Sequence, residues 1–373
     1  MANVLKPAPG KAPAKEAQKA VKGITYNTTL ANNDKIALVS NLHTMLASGI
    51  PILETVDSLL EDSKGGMKKL LTQMRQDLGQ GQHMYVTFQK FPKMFDKVTI
   101  SIIKASEESG TLDTALEDLQ NNIKKEIEFN DKVRSALIYP VFIMIVFVMV
   151  MIVILVVVIP KIATVFTQLN VTLPLPTKIM IFLSNALLHY TIPIIIVFGL
   201  LVTGIVYVYK QYQIEFIRAL TSLPIVSLLT QQIDLTRFTR SLYLLLTAGL
   251  PITVALELTQ DVVIKKDIGN AIKHAKNYVY SGKKLSEGFK DSKKVIPPIM
   301  IKIIEAGERS GALDKSMLDV SEYLDYQVSN TLKTLTALIE PIMLVGVGVL
   351  VGGMMMSIIA PIYQMIGQVG APH

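Results

Sequence analysis

Cysteine is absent from the 373 residues, which excludes disulfides and cysteine-ligated metal. No stretch shows sustained alternation of apolar and polar residues, so strands are not expected. The first 23 residues contain no apolar core segment and do not make a signal peptide. Rich in Lys, Ala and Pro, they read as a disordered basic tail, either idle or docking to a partner or to lipid head groups. Charge is scarce as well, at 18% of residues, and its scarcity is local. Residues 136–159 and 341–366 carry none, nor do residues 179–209, bracketed by Lys178 and Lys210.

Each of these runs is long enough to cross a membrane. A helix of 24 residues spans about 36 Å, against a hydrocarbon core of about 30 Å. Buried helices of soluble proteins rarely exceed about 18 uncharged residues. Pro193 marks a kink or the true start of the embedded part of the second run. His189 precedes it and reads as interfacial. Lys124, Lys125, Lys132 and Arg134 precede the first run, and Lys210 and Arg218 follow the second. Beyond the third there is no Lys or Arg. Positive residues mark the cytoplasm, so residues 1–135 and 210–336 are expected inside, with the N-terminus, and the C-terminal tail outside.

Catalytic and ligand-binding signatures are missing too. Gly282-Lys283-Lys284 hints at a phosphate loop, but Asn277 stands where that loop needs glycine. Ser-x-x-Lys at Ser101 and at Ser281 lacks companion motifs. The five histidines have no metal-ligand spacing. The net charge of +7 is shared between residues 1–135, with 18 basic and 16 acidic side chains, and residues 210–336, with 17 and 13. That suits a surface facing anionic lipid and lacks the clustered stripe of a nucleic-acid binder. No enzyme, cofactor, metal site or nucleic-acid partner is expected.

What is present is said twice. Residues 42–52 (LHTMLASGIPI) return as 242–252 (LYLLLTAGLPI). Residues 105–113 (ASEESGTLD) return as 306–314 (AGERSGALD), and 136–140 (ALIYP) as 337–341 (ALIEP). Order is kept and the offset drifts only from 200 to 201, the mark of duplication. Two repeats on one side of the membrane, each ending in a span, require a return crossing between them, and residues 179–209 supply it.

Each repeat reads as helical. Asn33 or Asp34 can cap a helix with Ile36, Val39, Leu42, Met45 and Leu46 at spacings of three and four. Gly49 and Gly249 are placed to stop a helix in the left-handed conformation, and Pro51 and Pro251 to start the next. Further on, a helix ends at Gly110 or Gly311. Another opens at Leu112 or Leu313, with Asp113 or Asp314 in its first turn. No Gly or Pro interrupts it before Pro140 or Pro341, so a long stalk should run into each span. Glu107 and Glu308 are expected either to bond their own turn or to meet a partner. Glu340, where the first copy has Tyr139, should meet water or a lysine at the boundary. Gly348, Gly352, Gly353 and Ser357 give small-residue spacing for close helix packing, against the chain's own spans, another subunit or a partner helix.

The two motifs, Leu-x-x-Leu-Leu-x-x-Gly-x-Pro-like and Gly-Glu-x-Ser-Gly-x-Leu, carry a resemblance over residues 30–366. The second is complete at Gly307 to Leu313, and Ser106 replaces its first Gly in the other copy. The chain resembles the type II secretion system F family, the inner-membrane platform proteins of type IV pilus and type II secretion machinery (PilC/GspF-like). The resemblance implies an all-α integral membrane protein with two homologous cytoplasmic helical-bundle domains, about six helices each, and three transmembrane helices. The expected layout is tail 1–23, first domain 24–135, span 136–160, external loop 161–178, span 179–209, second domain 210–336, span 337–366 and external tail 367–373. It also implies a non-enzymatic homo-oligomer. Its partners would be a hexameric assembly ATPase, a retraction ATPase where one exists, alignment proteins, and pilin or pseudopilin subunits. A transporter or channel is the competing reading, since polytopic repeats are common there.

Overall fold

In the computed structural model, residues 25–168, 175–189 and 224–369 are described, with Pro193, Thr203 and Gly204. The expected tail 1–23, most of the second crossing and residues 370–373 lie outside them. No strand occurs among the described residues. The chain divides into two compact units, residues 1–123 and 124–373.

The first unit orders α1 (Asn32–Ala47), α2 (Ile52–Glu61), α3 (Gly65–Gly79), α4 (Met84–Gln89), α5 (Lys97–Ser109) and the start of α6 (Leu112–Val153). Its core joins Leu38 and Leu42 of α1, Leu70 and Met74 of α3, Phe88 of α4, Ile103 of α5 and Leu116 of α6, all buried. Phe88 stacks on Phe95 at 4.0 Å between ring centroids. The start of α1 differs from expectation. Neither Asn33 nor Asp34 caps it: the helix already runs from Asn32, after an Ala31 with no side-chain cap. Lys35 N–H instead closes the first turn on the Ala31 carbonyl at 3.0 Å. Asp34 stands inside that turn, near the positive end of the helix.

The second unit repeats this order with α9 (Pro224–Thr247), α10 (Ile252–Thr259), α11 (Lys266–Tyr280), α12 (Leu285–Lys290), α13 (Pro298–Ser310) and α14 (Leu313–Val369). Left-handed glycines recur at matching places: Gly49 and Gly249, Gly81 and Gly282, Gly110 and Gly311. At Gly49 and Gly249, φ is +80° and +78°, and the following residue bonds back to the helix (Ile50 N–H to Met45 O, Leu250 N–H to Leu245 O, 3.0 Å each). The chain then turns through Pro51 or Pro251 into the next helix.

The long helices do not break where the uncharged runs begin or end. α6 passes through Pro140, continues through a π turn (Ile154–Val158) and into α7 (Ile159–Gln168). The helix thus extends beyond Pro160 and Lys161, and α8 (Leu175–His189) begins before residue 179. α14 passes through Pro341 to Val369. Two stretches, Leu112–Thr164 and Leu313–Gly353, are long and apolar enough to cross a membrane. Phe142, Leu344 and Val349 on them are 62%, 67% and 71% exposed. Such a surface suits lipid and not water.

A left-handed residue with a branched side chain is strained whatever the free space around it, and nothing lies within 4 Å of a Cβ built on Gly249. Gly249→Val should therefore destabilise the second unit by about 1–3 kcal/mol through the backbone alone. Gly249→Asn should cost less, because Asn tolerates this conformation better. Thermal melting of the detergent-purified chain compares them, and equal melting of Val and Gly forms would show that the turn does not hold this conformation.

Candidate functional site

Three features converge on the long helices: a carboxylate clamp at the root of each, a seam where they meet, and the prolines by which they enter the apolar spans. At the root of α6, Gly110 (φ +74°) closes α5, Thr111 N–H bonds Ser106 O at 2.9 Å, and α6 opens at Leu112. Glu107, on the last turn of α5, accepts from the backbone N–H groups of Met84 (2.7 Å) and Tyr85 (2.9 Å). Those are the first N–H groups of α4, a six-residue helix with no side-chain cap of its own. A carboxylate there satisfies orphan donors and complements the helix dipole. Glu308 does the same for α12, accepting from Leu285 N–H and from Ser286 N–H at 3.2 Å, with Gly311 and Leu313 repeating the turn. Both glutamates bond a neighbouring helix, which neither sequence alternative anticipated. The contact lies 22–23 residues back, beyond any local pattern.

Around the clamps the copies have diverged in compensated ways. A Cβ on Gly307 would fall 2.2 Å from the Ser316 hydroxyl oxygen. The corresponding positions in the first copy hold Ser106 and Ala115, both buried, so the larger side chain has changed helix. Between α3 and α4, buried Asp77 accepts from Lys90 Nζ (2.7 Å), Thr87 and Gln73. In the second copy the acid sits at the other end: Asp291 accepts from the Tyr278 hydroxyl at 3.2 Å and faces His274 Nε2 at 3.3 Å. Asp234 on α9 matches Asp34 of the first copy, which is exposed in the first turn of α1. Fully buried, Asp234 accepts from the N–H groups of Ile264 (2.9 Å) and Lys265 (2.7 Å) before α11, and burial raises its carboxyl above the usual range.

The seam belongs to the second unit. Phe129 of α6 is buried against Val328 and Leu332 of α14, with Leu229 and Ile233 of α9 at its flank. The Arg240 guanidinium lies 5.8 Å over the Phe129 ring. Burial lowers its pKa, while Asp325, Glu126 and Glu322 oppose that shift and favour its charge. Lys125 pairs with Glu322 at 3.3 Å, Lys132 with Asp325 at 3.5 Å, and Arg237 donates to Asn130 at 3.2 Å. Further along, Thr336 meets Ala136 and Gly346 faces Phe147. Contact positions rise together on both helices, so α6 and α14 run parallel here.

At two of the prolines a hydroxyl from another helix approaches the carbonyl left without its N–H. Pro140 has no N–H to return to the carbonyl of Ala136, four residues back. Thr336 offers its hydroxyl to that oxygen at 3.4 Å while bonding Leu332 O at 2.9 Å. In the π turn, Leu155 would look five residues ahead to Pro160, which has no N–H either. Ser184 of α8, fully buried, donates to Leu155 O at 2.6 Å. Pro341 sits within α14 as Pro140 does within α6. A methyl group on Gly348, Gly352 or Gly353 would meet no atom within 4 Å, so close approach to α6 falls to Gly346 instead. Ser357 belongs to α14, but its side chain lies outside the described set. Some 35 residues of helix, about 50 Å, separate Leu313 from Gly348. Clamp and small-residue stripe are therefore not one pocket.

Two copies of a Glu-capped helical unit, each feeding an apolar span, are what the comparisons match. The family model of the type II secretion system (T2SS) protein F covers residues 38–160 and again 238–361. The chain belongs to this family. It is 27% identical over 366 residues to the type IV pilus assembly protein PilC of Pseudomonas aeruginosa, with 96% of each chain covered. To the PilC of Thermus thermophilus it is 29% identical over 333 residues, covering 87% of this chain and 81% of that one. The type II secretion system protein F of Vibrio cholerae is 25% identical over 358 residues, 94% and 87% covered. The F-family model thus falls on both repeats, including both clamps and the seam helices, and the chain is a membrane protein with an internal repeat.

Sequence reasoning missed Phe129, Arg240, Thr336, Ser184 and Ser316. Their partners lie on other elements, and no spacing announces them.

Gly307→Ser should lower the stability of the second unit by about 1–3 kcal/mol through overpacking, and Ser316→Ala added to it should restore most of the loss. Calorimetry of the two single variants and the double completes the cycle, and simple additivity would refute the exchange. For Asp77, burial alone would raise the carboxyl, but bonds from Lys90, Thr87 and Gln73 and the Lys90 charge outweigh it and hold the carboxyl below its ordinary value. Its stabilising contribution is complete above the unfolded-state value and is lost as pH falls through the lower, folded value. Hydrogen exchange in the full chain should therefore show α3 and α4 loosening in acid, and Asp77→Asn should flatten that pH dependence.

Proposed function

We propose that this F-family member is a non-enzymatic platform in the cytoplasmic membrane. It couples a hexameric assembly ATPase to the extraction of pilin or pseudopilin subunits in a type IV pilus or type II secretion machine. The observation that carries the reading is the seam. Two helices rooted in duplicated helical domains run parallel and uninterrupted into apolar spans, tied laterally at Phe129 and Arg240. A displacement of one domain therefore has a stiff route to both membrane helices. Parallel rooting supports the cytoplasmic placement of residues 1–135 and 210–336, with the loop 161–178 and the tail 367–373 external and residues 179–209 as the return crossing. Alignment proteins and further copies of the chain would complete the assembly, and Gly348, Gly352, Gly353 and Ser357 are proposed as a packing surface for a second copy or a pilin helix. The transporter reading is less favoured, since the relatives are named for pilus assembly and secretion.

Reporter tags near Asn170 and near Asp291 should land on opposite sides of the membrane in intact cells. Arg240→Ala should leave membrane levels and ATPase co-purification near wild type while reducing filament or secretion output about tenfold or more, as expected when coupling and not binding is lost. Tags sharing one compartment would overturn the topology. Undiminished output from Arg240→Ala would overturn the coupling role of the seam.

A further inference from the structure

Two adjoining hollows follow the seam between α6 and α14 beyond the Phe129 cluster, and Tyr139 and Glu340 line both. The one nearer the helical domain encloses about 380 Å³ and is edged by Lys132, Lys333 and Ser329. The one within the spans encloses about 340 Å³ and is walled by apolar side chains, among them Phe147 and Met151 of α6 and Met343 and Val347 of α14. Glu340 stands at the junction, on the last turn before a charge-free run. Among the described residues neither Glu340 nor Lys333 has a hydrogen-bond or ion-pair partner, whereas Lys132 is held by Asp325. The first repeat has Tyr139 at the matching place, so the fold itself does not require the acid. Glu340 and Lys333 are both exposed, and where the surrounding medium is lipid a carboxylate at the rim of an apolar slot is costly unless something answers it.

The occupant has to bring three things: an alkyl chain for the slot, an anion for Lys333 and a cationic N–H donor for Glu340. A phosphoethanolamine phospholipid carries all three in one molecule. A phosphatidylglycerol sets a hydroxyl opposite the acid, and a phosphatidylcholine has positive charge but no N–H. A second copy related by a two-fold axis would bring Glu340 against Glu340. We propose that the groove between α6 and α14 is a site for one phosphatidylethanolamine molecule, an acyl chain along the wall formed by Phe147 and Val347, its phosphate towards Lys333 and its head group folded back so that the terminal ammonium meets Glu340. Lys333 and Glu340 are seven residues apart and so share a helix face about 10 Å in length, with Tyr139 at the level where amphipathic rings meet the interface. Lipid would then fill the space between the two spans and stiffen them as a pair.

The test uses full-length protein, delipidated in detergent and titrated with phosphatidylethanolamine, phosphatidylglycerol or phosphatidylcholine of identical acyl chains. Bound lipid is counted by native mass spectrometry and the melting temperature is read alongside. Phosphatidylethanolamine should bind about tenfold tighter than phosphatidylcholine, the worth of one charge-assisted hydrogen bond. Glu340→Gln should erase that preference, and Lys333→Gln should weaken binding of all three lipids, each of which carries the phosphate, while leaving the preference for phosphatidylethanolamine in place. Val347→Trp, which fills the slot and leaves the charges in place, should reduce all three. Lipid-free melting of each variant checks folding, and if one variant fails to fold, the head-group comparison on the unaltered chain still decides. Equal binding of the three lipids, tighter binding of phosphatidylglycerol, or a preference that survives Glu340→Gln would overturn the proposal. So would a melting temperature unmoved by phosphatidylethanolamine, the result if a protein helix occupies the groove.

Discussion

Inside hydrocarbon a backbone carbonyl has no water to turn to, and an unanswered one costs several kcal/mol. That constraint bears on this chain at the ends of its apolar runs, because prolines stand there. Pro140 and Pro160 each withhold an N–H, and in each case a hydroxyl from a neighbouring helix reaches the carbonyl concerned: Thr336 at Ala136 and Ser184 at Leu155. The repair does more than preserve the helix. It fastens α8 to the π turn through Ser184, while at Ala136 the Thr336 hydroxyl, shared with Leu332 O, gives a weaker tie between α14 and α6.

The same economy appears at the domain side. α4 and α12 are six residues long, too short to persist alone. Each is held because a glutamate from the end of the helix that follows it accepts from its first N–H groups. The turn that aims that glutamate is also the turn that launches the stalk. In the second unit the stalks then meet around Phe129, where a half-buried guanidinium is balanced by three carboxylates. Such a cluster favours one register of the two helices, since sliding either would take Phe129 off Val328 and Leu332 and part the charge pairs beside it.

Duplication left the scaffold and changed the fillings. Positive-φ glycines keep their places because few other residues suit those angles, and the clamp keeps its acid because the N–H groups are always there. Side chains in contact were free to exchange roles, as Ser106 with Ala115 against Gly307 with Ser316, and Asp77 with Lys90 against Asp291 with Tyr278. Such neighbours are coupled, so a change at one position is answered at the other.

What the sequence determined by itself was whatever is local or repeated. Uncharged runs longer than a bilayer, glycines before prolines, and motifs returning at an offset of 200 are written in consecutive residues, so the all-helical repeats, the apolar helices and the family were legible. Helix starts were less so. The cap sought at Asn33 or Asp34 is not used, because backbone geometry at Ala31 opened the helix earlier. Only the tertiary structure decided that Glu107 and Glu308 serve a neighbouring helix, that Arg240 covers Phe129, and that Gly346, not Gly348 or Gly352, faces the other span. Those contacts join residues from about 20 to 200 positions apart, and which of many compatible partners meet is settled by the packing of whole helices, a property no short stretch of chain contains.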